Sequence, residues 1–362
     1  MNFNLFDSFQ LGSNTLDNRI VMAPMTRLRA DGNIPTQLMA KYYGQRATAG
    51  LIITECTMIS PLSQGYMNVP GIYNNEQVEG WKLITDAVHA QGGKIFLQIW
   101  HSGRVTHSAL LGGEKPVAPS AIAATGQLHT LIGKVDIETP RALETSEIPE
   151  IVAQFRQAAV NAQQASFDGI ELHGAFGYLI DQFLQDGSNQ RQDKYGGSIE
   201  NRARFLLEVV EAVTQVWGGD YVGIKLSPSN TFYGMFDSDP QATFGYLIQA
   251  LNDFNLAYIH LMEANEVDLN TRTVINPVLP VFRPLYQGNI ITNGGYKKET
   301  GNKAIASGNA ELVSYGKLYL ANPDLVKRFS IDAELNEANP RNFYGRGDTE
   351  DATIGYTDYS FV

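Results

Sequence analysis

Eight short apolar runs, each followed by a longer segment with helical periodicity, constrain the fold of this chain more than any other feature. Short buried runs between helices are typical of parallel strands. Eight strand-then-helix units predict an α/β fold, the (β/α)8 or TIM barrel. A doubly wound sheet is the rival, but no Gly-x-Gly-x-x-Gly follows the first run. The predicted strands are 19–24, 51–54, 94–100, 169–172, 222–226, 257–261, 289–292 and 311–314, and the predicted helices are 36–48, 75–90, 146–166, 198–216, 240–254, 272–286, 297–306 and 323–329.

Two segments break this alternation. Residues 3–17 predict a small N-terminal hairpin, and residues 102–145 predict a long loop inserted after strand 3. Within that loop, runs 129–132 and 134–137 flank Gly133 and predict a hairpin. Such a long loop usually carries function or forms a lid. We expect one domain over 1–362, because barrels of this length are commonly single domains with insertions.

Composition excludes several classes of protein. The net charge of -11 argues against a nucleic-acid partner, which would need a basic surface. No apolar run reaches the ~18 residues of a membrane span, and the N-terminus lacks the pattern of a signal peptide. The lone Cys56 allows no internal disulfide and no cysteine-based zinc site. We therefore expect a cytoplasmic protein that works on small molecules.

Functional side chains of a barrel lie at the carboxyl ends of its strands. Here the predicted ends carry polar or glycine residues at seven of the eight strands. These residues are Pro24, Met25 and Thr26, Glu55 and Cys56, Gln98 with Trp100 and His101, His173, Lys225, Asn293 with Gly294 and Gly295, and Gly316 with Lys317.

The ends of strands 7 and 8 suit a phosphate group. Gly294, Gly295 and Gly316 let backbone N–H groups approach an anion, and Lys317 would neutralise it. Barrels commonly bind phosphate after these two strands. The alternative is that the glycines only form a turn.

Gln98 and Lys225 are expected to point into the barrel mouth, where a polar ligand could use their donors and charge. The alternative for Lys225 is a core salt bridge to Glu171. Cys56 is expected to be a small buried hydrophobe rather than a reactive thiol. His101 has no neighbours at metal-ligand spacing, so we expect no metal site.

His173 and Tyr178 follow the fourth strand at a spacing that lets both reach one cavity. Each alone would more often be a core residue. Their place at a strand end favours proton and hydrogen-bond chemistry. Phe176 stands between them as an apolar side chain.

Most of the chain resembles the old yellow enzymes, a family of flavin-dependent ene-reductases. The longest and most specific of the matching segments is 168–205, which contains the His173 region. The segments are NRIVMAPMTR (18–27), AGLIITECT (49–57), PGIYNNEQVEGW (70–81), FLQIWHSGR (96–104), DGIELHGAFGYLIDQFLQDGSNQRQDKYGGSIENRARF (168–205) and LANPDLVKRF (320–329).

The resemblance implies non-covalent FMN and a nicotinamide, NADPH or NADH, as hydride donor. It implies that the flavin lies near Ala23, Pro24, Met25, Thr26, Cys56 and His173, with Gln98 at its pyrimidine edge. Lys225 and Lys317 stand where the family commonly has arginine. Gly294, Gly295, Gly316 and Lys317 correspond to the phosphate site.

The resemblance also implies a reaction, in which activated C=C bonds of unsaturated carbonyls, maleimides or nitroalkenes are reduced. His173 would bind the substrate oxygen and Tyr178 would donate the proton. Trp100, Phe176 and Tyr344 would line the substrate pocket. We expect a monomer or weak homo-oligomer.

One position departs from the family pattern. The family has His-x-x-Asn or His-x-x-His, and Phe176 replaces the second residue, so one oxyanion donor is missing. Loss of one such donor costs on the order of 10²–10³ in rate in other enzymes. The alternatives are therefore impaired or stereochemically altered reduction, or flavin binding with little turnover. A Schiff-base lyase that uses Lys225 is a further alternative.

Overall fold

The computed structural model describes residues 3–345 and 351–362, and its centre is a closed barrel of parallel strands. The predicted domain span also includes residues 1, 2 and 346–350, which lie outside that description. All eight apolar runs form strands, each pairs in parallel with the next, and β8 pairs with β1 to close the barrel. This confirms the predicted (β/α)8 barrel. The strands are β1 (Ile20–Met22), β2 (Leu51–Ile53), β3 (Ile95–Trp100), β4 (Gly169–Gly174), β5 (Val222–Leu226), β6 (Tyr258–Met262), β7 (Ile290–Asn293) and β8 (Leu312–Tyr315).

Helices surround the strands, and polar side chains determine where several of them begin. Thr36, Asn74, Ser198 and Asp239 each accept a hydrogen bond from a backbone N–H of the first turn that follows. No helix within 3–345 or 351–362 is long and apolar enough to cross a membrane. The helices are α1 (Gln37–Gly44), α2 (Asn75–His89), α3 (Ile148–Gln164), α4 (Leu179–Leu184), α5 (Ile199–Trp217), α6 (Pro240–Leu251), α7 (Glu266–Thr271), α8 (Leu279–Phe282), α9 (Lys298–Ala306), α10 (Lys317–Ala321) and α11 (Leu325–Ser330).

The N-terminal hairpin covers the amino end of the barrel. It pairs Phe9–Leu11 with Asn14–Leu16 in antiparallel register, within the predicted range 3–17. Leu11 and Leu16 are fully buried in one apolar cluster with barrel residues such as Phe96. The amino end of the barrel is therefore closed by apolar packing, and the opposite, carboxyl end is the one left for a ligand.

The inserted hairpin exists, but its predicted strands are shifted. Gln127–Thr130 pairs with Gly133–Asp136, so Leu131 and Ile132 form the turn instead of ending a strand. The Thr130 hydroxyl donates to the Gly133 carbonyl at 2.9 Å and so closes the turn. Gly133 has a φ of +104°, which glycine adopts without a steric penalty.

The helix expected over 272–286 is wrong as a continuous element. Helix α7 ends at Thr271, and a non-helical stretch precedes α8 at Leu279. Pro277 disfavours helical geometry in the residue before it. The Glu263 carboxylate then accepts the Val278 and Leu279 N–H groups at 2.6 and 2.9 Å, which starts a new helix.

Candidate active site

Strand β4 brings His173 to the carboxyl end of the barrel, where it contacts two aromatic rings. Its ring centroid lies 4.9 Å from that of Tyr178 and 6.1 Å from that of Phe176. Burial, reinforced by Lys225, holds the pKa of His173 well below its ordinary value, so the imidazole is neutral at neutral pH. Its Nδ1 has no hydrogen-bond partner within the described residues. A neutral imidazole still carries one N–H, which suits it to bind an oxygen.

Phe176 occupies an unusual backbone conformation for its type. Its φ is +57°, in the left-handed region where asparagine and glycine are preferred. Its backbone N–H donates to Ser227 Oγ at 2.9 Å, and Lys225 Nζ lies 5.3 Å from its ring centroid. The backbone therefore has the geometry of an asparagine site, but the side chain is an aromatic ring without a donor.

Tyr178 belongs to a cluster of three tyrosine hydroxyls. The Tyr66 hydroxyl lies 2.8 Å from that of Tyr178 and 2.6 Å from that of Tyr233. Desolvation raises the pKa of Tyr178 well above its ordinary value. Tyr66 and Tyr233 are not among the residues predicted from the sequence. The available signal was position alone, because both follow barrel strands, β2 and β5, at the functional end.

The ends of β1 and β2 meet beside this cluster. Thr26 Oγ1 lies 3.1 Å from Cys56 Sγ. Burial raises the pKa of Cys56 to about 12, so it is a thiol rather than a thiolate. Ala23 is buried, whereas Pro24, Met25 and Thr26 are partly exposed and can contact a ligand.

Polar side chains also fill the barrel interior below this end. Glu171 Oε1 accepts from Gln98 Nε2 at 2.7 Å, and Glu171 Oε2 lies 2.8 Å from His260 Nδ1. His260 Nε2 in turn lies 2.8 Å from Ser314 Oγ. Lys225 is only 3% exposed, yet it forms no hydrogen bond or ion pair with another described residue. The alternative of a core salt bridge between Lys225 and Glu171 is therefore not formed among these residues.

That isolation affects the charge of Lys225. Burial lowers the pKa of Lys225 to about 8, and the nearby carboxylate of Glu171 acts in the opposite direction. The ammonium group contacts the Phe176 ring but has no hydrogen-bond or ion-pair partner among the described residues, which is costly for a buried cation. It indicates a place for an anionic or electron-rich ligand.

Glycines occupy the adjoining ends of β7 and β8, as predicted. Gly294 and Gly295 have φ values of +135° and +70°. A Cβ on Gly294 would lie 2.7 Å from Glu263 Cβ, so only glycine fits there, whereas Gly295 faces open space. Gly316 caps α10 and Lys317 is exposed at its first position. These residues leave room for a phosphate between the two strand ends.

Two other predicted site residues differ in burial. Trp100, at the end of β3, is fully buried and its Nε1 has no partner within the described residues. Tyr344 is 66% exposed, and the neighbouring Gly345 N–H donates to the Arg27 carbonyl at 2.9 Å. Tyr344 thus lies at the rim rather than deep in the site. Within 3–345 and 351–362, no group of three or more His, Cys, Asp or Glu side chains is placed to hold a metal ion.

The described side chains fit a flat, negatively charged cofactor such as FMN. The unpartnered Lys225 and the free His173 Nδ1 suit the polar edge of a ring system. The glycines after β7 and β8 suit its phosphate. These three features lie at strand ends that share one face of the barrel.

Comparison with known proteins gives a consistent result. The profile of the NADH:flavin oxidoreductase / NADH oxidase family matches residues 4–336. The chain is 46% identical over 361 residues to 12-oxophytodienoate reductase 1 of Oryza sativa subsp. japonica, covering 99% of this chain and 93% of the relative. It is 43% identical over 378 residues to 12-oxophytodienoate reductase 7 of the same plant, covering 99% and 94%.

Solved structures agree with these relatives. Morphinone reductase superposes with a TM-score of 0.94 at 44% identity, covering 100% of this chain and 97% of that one. The old yellow enzyme homologue from Zymomonas mobilis superposes with a TM-score of 0.94 at 40% identity, covering 99% and 100%. Morphinone reductase has also been solved in complex with tetrahydroNAD, at a TM-score of 0.92 and 45% identity to this chain. The chain therefore belongs to the NADH:flavin oxidoreductase / NADH oxidase family, and it is an FMN-dependent ene-reductase of the old yellow enzyme type that takes hydride from a nicotinamide.

Proposed function

We propose that Tyr178 is the proton donor and His173 the oxyanion donor in the reduction of α,β-unsaturated carbonyls, maleimides and nitroalkenes. Bound FMN would supply the hydride chemistry, from NADPH or NADH to the β-carbon of the substrate. The observation that carries the proposal is the contact of His173 with Tyr178, 4.9 Å between ring centroids, at the end of β4 beside the unpartnered Lys225.

The residues proposed to hold FMN come from seven strand ends. Lys225 would balance negative charge on the ring, Gln98 would contact its pyrimidine edge, and Thr26 would donate to a ring carbonyl. The phosphate would lie against the glycines. The full proposed set is Ala23, Pro24, Met25, Thr26, Cys56, Gln98, His173, Lys225, Gly294, Gly295, Gly316 and Lys317.

His173 and Tyr178 have different roles toward the substrate. The His173 N–H donates to the carbonyl or nitro oxygen and stabilises the negative charge that develops there. Tyr178 gives its proton to the α-carbon. Its raised pKa keeps it protonated at neutral pH. Phe176, Trp100 and Tyr344 would line the substrate pocket.

The remaining predictions concern setting and partners. We propose a cytoplasmic enzyme, a monomer or weak homo-oligomer, that meets no nucleic acid or membrane. Two relatives are named for oxophytodienoate and morphinone, which is consistent with an enone substrate here.

One observation favours a second candidate activity, slower or stereochemically altered reduction. Phe176 lacks the donor that the family places beside His173. The Schiff-base alternative through Lys225 has less support, since a flavin partner accounts for the buried cation.

Tyr178→Phe tests the proposal directly. Anaerobic rapid mixing should show flavin bleaching by NADPH at the wild-type rate, because that step needs no proton from Tyr178. Enone reduction should slow by about 10²-fold or more. Tyr221→Phe, which removes a hydroxyl just before β5, should leave both steps unchanged. Equal rates of enone reduction in wild type and Tyr178→Phe would exclude the assigned role.

A further inference from the structure

The three tyrosine hydroxyls of the site are joined in a hydrogen-bonded line through Tyr66, and the rings of the two end residues also contact each other, with 6.2 Å between centroids. Tyr66 stands in the middle, 2.8 Å from Tyr178 and 2.6 Å from Tyr233. A hydroxyl can donate one hydrogen bond while it accepts another. The line can therefore carry a proton in either direction between Tyr178 and Tyr233.

Packing fixes the middle of this line. The Tyr66 ring lies parallel to that of Trp100, with 6.0 Å between centroids and 3° between planes. Trp100 also contacts the Tyr178 ring edge-on at 5.1 Å. One buried indole thus holds two of the three tyrosines.

The outer member is held in a strained conformation. Tyr233 has a φ of +60°, which is rare for a bulky residue. Its carbonyl accepts hydrogen bonds from Thr125 N at 3.2 Å and from Arg104 Nη2 at 3.4 Å, which keep it there. Strain of this kind clusters at functional sites. Glycine or asparagine would fit this backbone more easily, but neither could supply the hydroxyl that bonds Tyr66 or the ring that contacts Tyr178.

The two ends of the line differ in their surroundings. Tyr178 is packed between the Trp100 and His173 rings. Tyr233 lies in a surface loop between Phe232, which is 43% exposed, and the exposed Gly234. Tyr233 is itself partly exposed, so the line runs from the proposed acid to a residue that solvent can reach.

We propose that Tyr66 and Tyr233 return a proton to Tyr178 after each turnover. This inference rests on the proposed role of Tyr178 as the acid. When the α-carbon takes the Tyr178 proton, the O–H bond breaks and a tyrosinate remains. Tyr66 transfers its hydroxyl proton to that oxygen, Tyr233 transfers its own to Tyr66, and water at the surface reprotonates Tyr233. One solvent proton is consumed per product, and no redox change occurs along the line.

A purely structural role would give a different result. If Tyr66 and Tyr233 only orient Tyr178, their loss would slow the proton donation itself. If they return a proton to Tyr178, their loss leaves the first proton donation unaffected and slows the reprotonation of Tyr178 that follows. The lifetime of the tyrosinate separates these two cases.

The test is a single anaerobic turnover of the holoenzyme with cyclohexenone, followed in the flavin absorbance and in the near-ultraviolet tyrosinate absorbance. Tyr66→Phe and Tyr233→Phe should reoxidise at close to the wild-type rate, with a tyrosinate that persists about tenfold longer or more. Tyr221→Phe is the matched control and should behave as wild type.

Two results would overturn the relay. One is a tyrosinate lifetime in both variants equal to that of wild type. The other is a proton donation in the first turnover that is slowed as strongly as the later recovery of Tyr178. Tyr178→Phe separates this failure from failure of the proposed acid. If that variant reduces cyclohexenone normally, the role of Tyr178 is wrong. If it does not, while Tyr66→Phe and Tyr233→Phe both recover normally, only the relay is wrong.

Discussion

Phe176 combines a backbone suited to asparagine with a side chain that cannot donate a hydrogen bond. Non-glycine residues in the left-handed region carry a conformational penalty of roughly 1–2 kcal/mol, smaller for asparagine. The Lys225 cation on the neighbouring strand β5 and the hydroxyl of Ser227, which directly follows that strand, contact this residue. The sequence alone could show that Phe176 departs from a family pattern. It could not show the φ of +57°, which depends on how the loop after β4 is anchored.

Phe176→Asn should improve both activity and stability. The amide supplies a second donor beside His173, so enone turnover should rise roughly tenfold or more. The free energy of unfolding should rise by about 0.5–1 kcal/mol, since asparagine fits the left-handed region better. Steady-state kinetics, chiral analysis of the product and urea unfolding measure these effects.

Phe176→Leu is the control for that substitution. It removes the ring without adding a donor, so turnover should not rise. If Phe176→Asn changes neither turnover nor product stereochemistry, Phe176 lies outside the substrate site.

At the scale of elements, helix α4 holds the loop that carries Phe176 and Tyr178. Asp181 Oδ2 accepts from Gly177 N at 2.9 Å, and Gln182 Nε2 donates to the Gly177 carbonyl at 2.7 Å. The N–H and the carbonyl of Gly177 are thus both hydrogen-bonded to side chains of α4. Asp181 is fully buried, and burial raises its pKa to about 7.

Stability should therefore depend on pH through Asp181. The folded state holds the Asp181 proton more tightly than the unfolded chain, so folding is favoured at low pH. The advantage is complete below the unfolded pKa near 4 and is lost as the pH rises through about 7, a change on the order of 2–4 kcal/mol. Glu55, whose pKa burial also raises to about 7, acts in the same direction.

Urea unfolding between about pH 5 and pH 8, with excess FMN, checks that the free energy of unfolding falls as the pH rises. Asp181→Asn has no proton to release, so its stability should fall less steeply with pH than that of wild type. Asp86→Asn, on an exposed face of α2, should keep the wild-type slope. Parallel slopes for wild type and Asp181→Asn would contradict the assignment.

Predictability from sequence also varied among elements. The strands could be predicted from the sequence because each is a local apolar run. The hydrogen-bond partners of Glu171 could not be predicted in the same way. The register of β4 and β5 sets Lys225 opposite His173 and sets Gly223 opposite Glu171. Glu171 instead bonds Gln98 on β3 and His260 on β6. The register of the inserted hairpin was missed because it depends on the Thr130 hydroxyl and on Gly133.

For the whole molecule, the barrel determines which distant residues meet. Eight strand-then-helix units were visible in the sequence, so the closed topology and the functional end could be predicted. Tyr66 and Tyr233 could not, because 167 positions separate them in the chain and only loop packing brings them together. Closure places these loops around one opening, where we propose that FMN binds.

The central claim is that this opening houses a working ene-reductase. The most direct measurement is anaerobic stopped-flow of the purified holoenzyme, first with NADPH or NADH and then with cyclohexenone. We predict a yellow protein that bleaches with at least one nicotinamide and regains its colour as the enone is reduced. A protein that bleaches but is not reoxidised by cyclohexenone, maleimide or a nitroalkene would contradict the account.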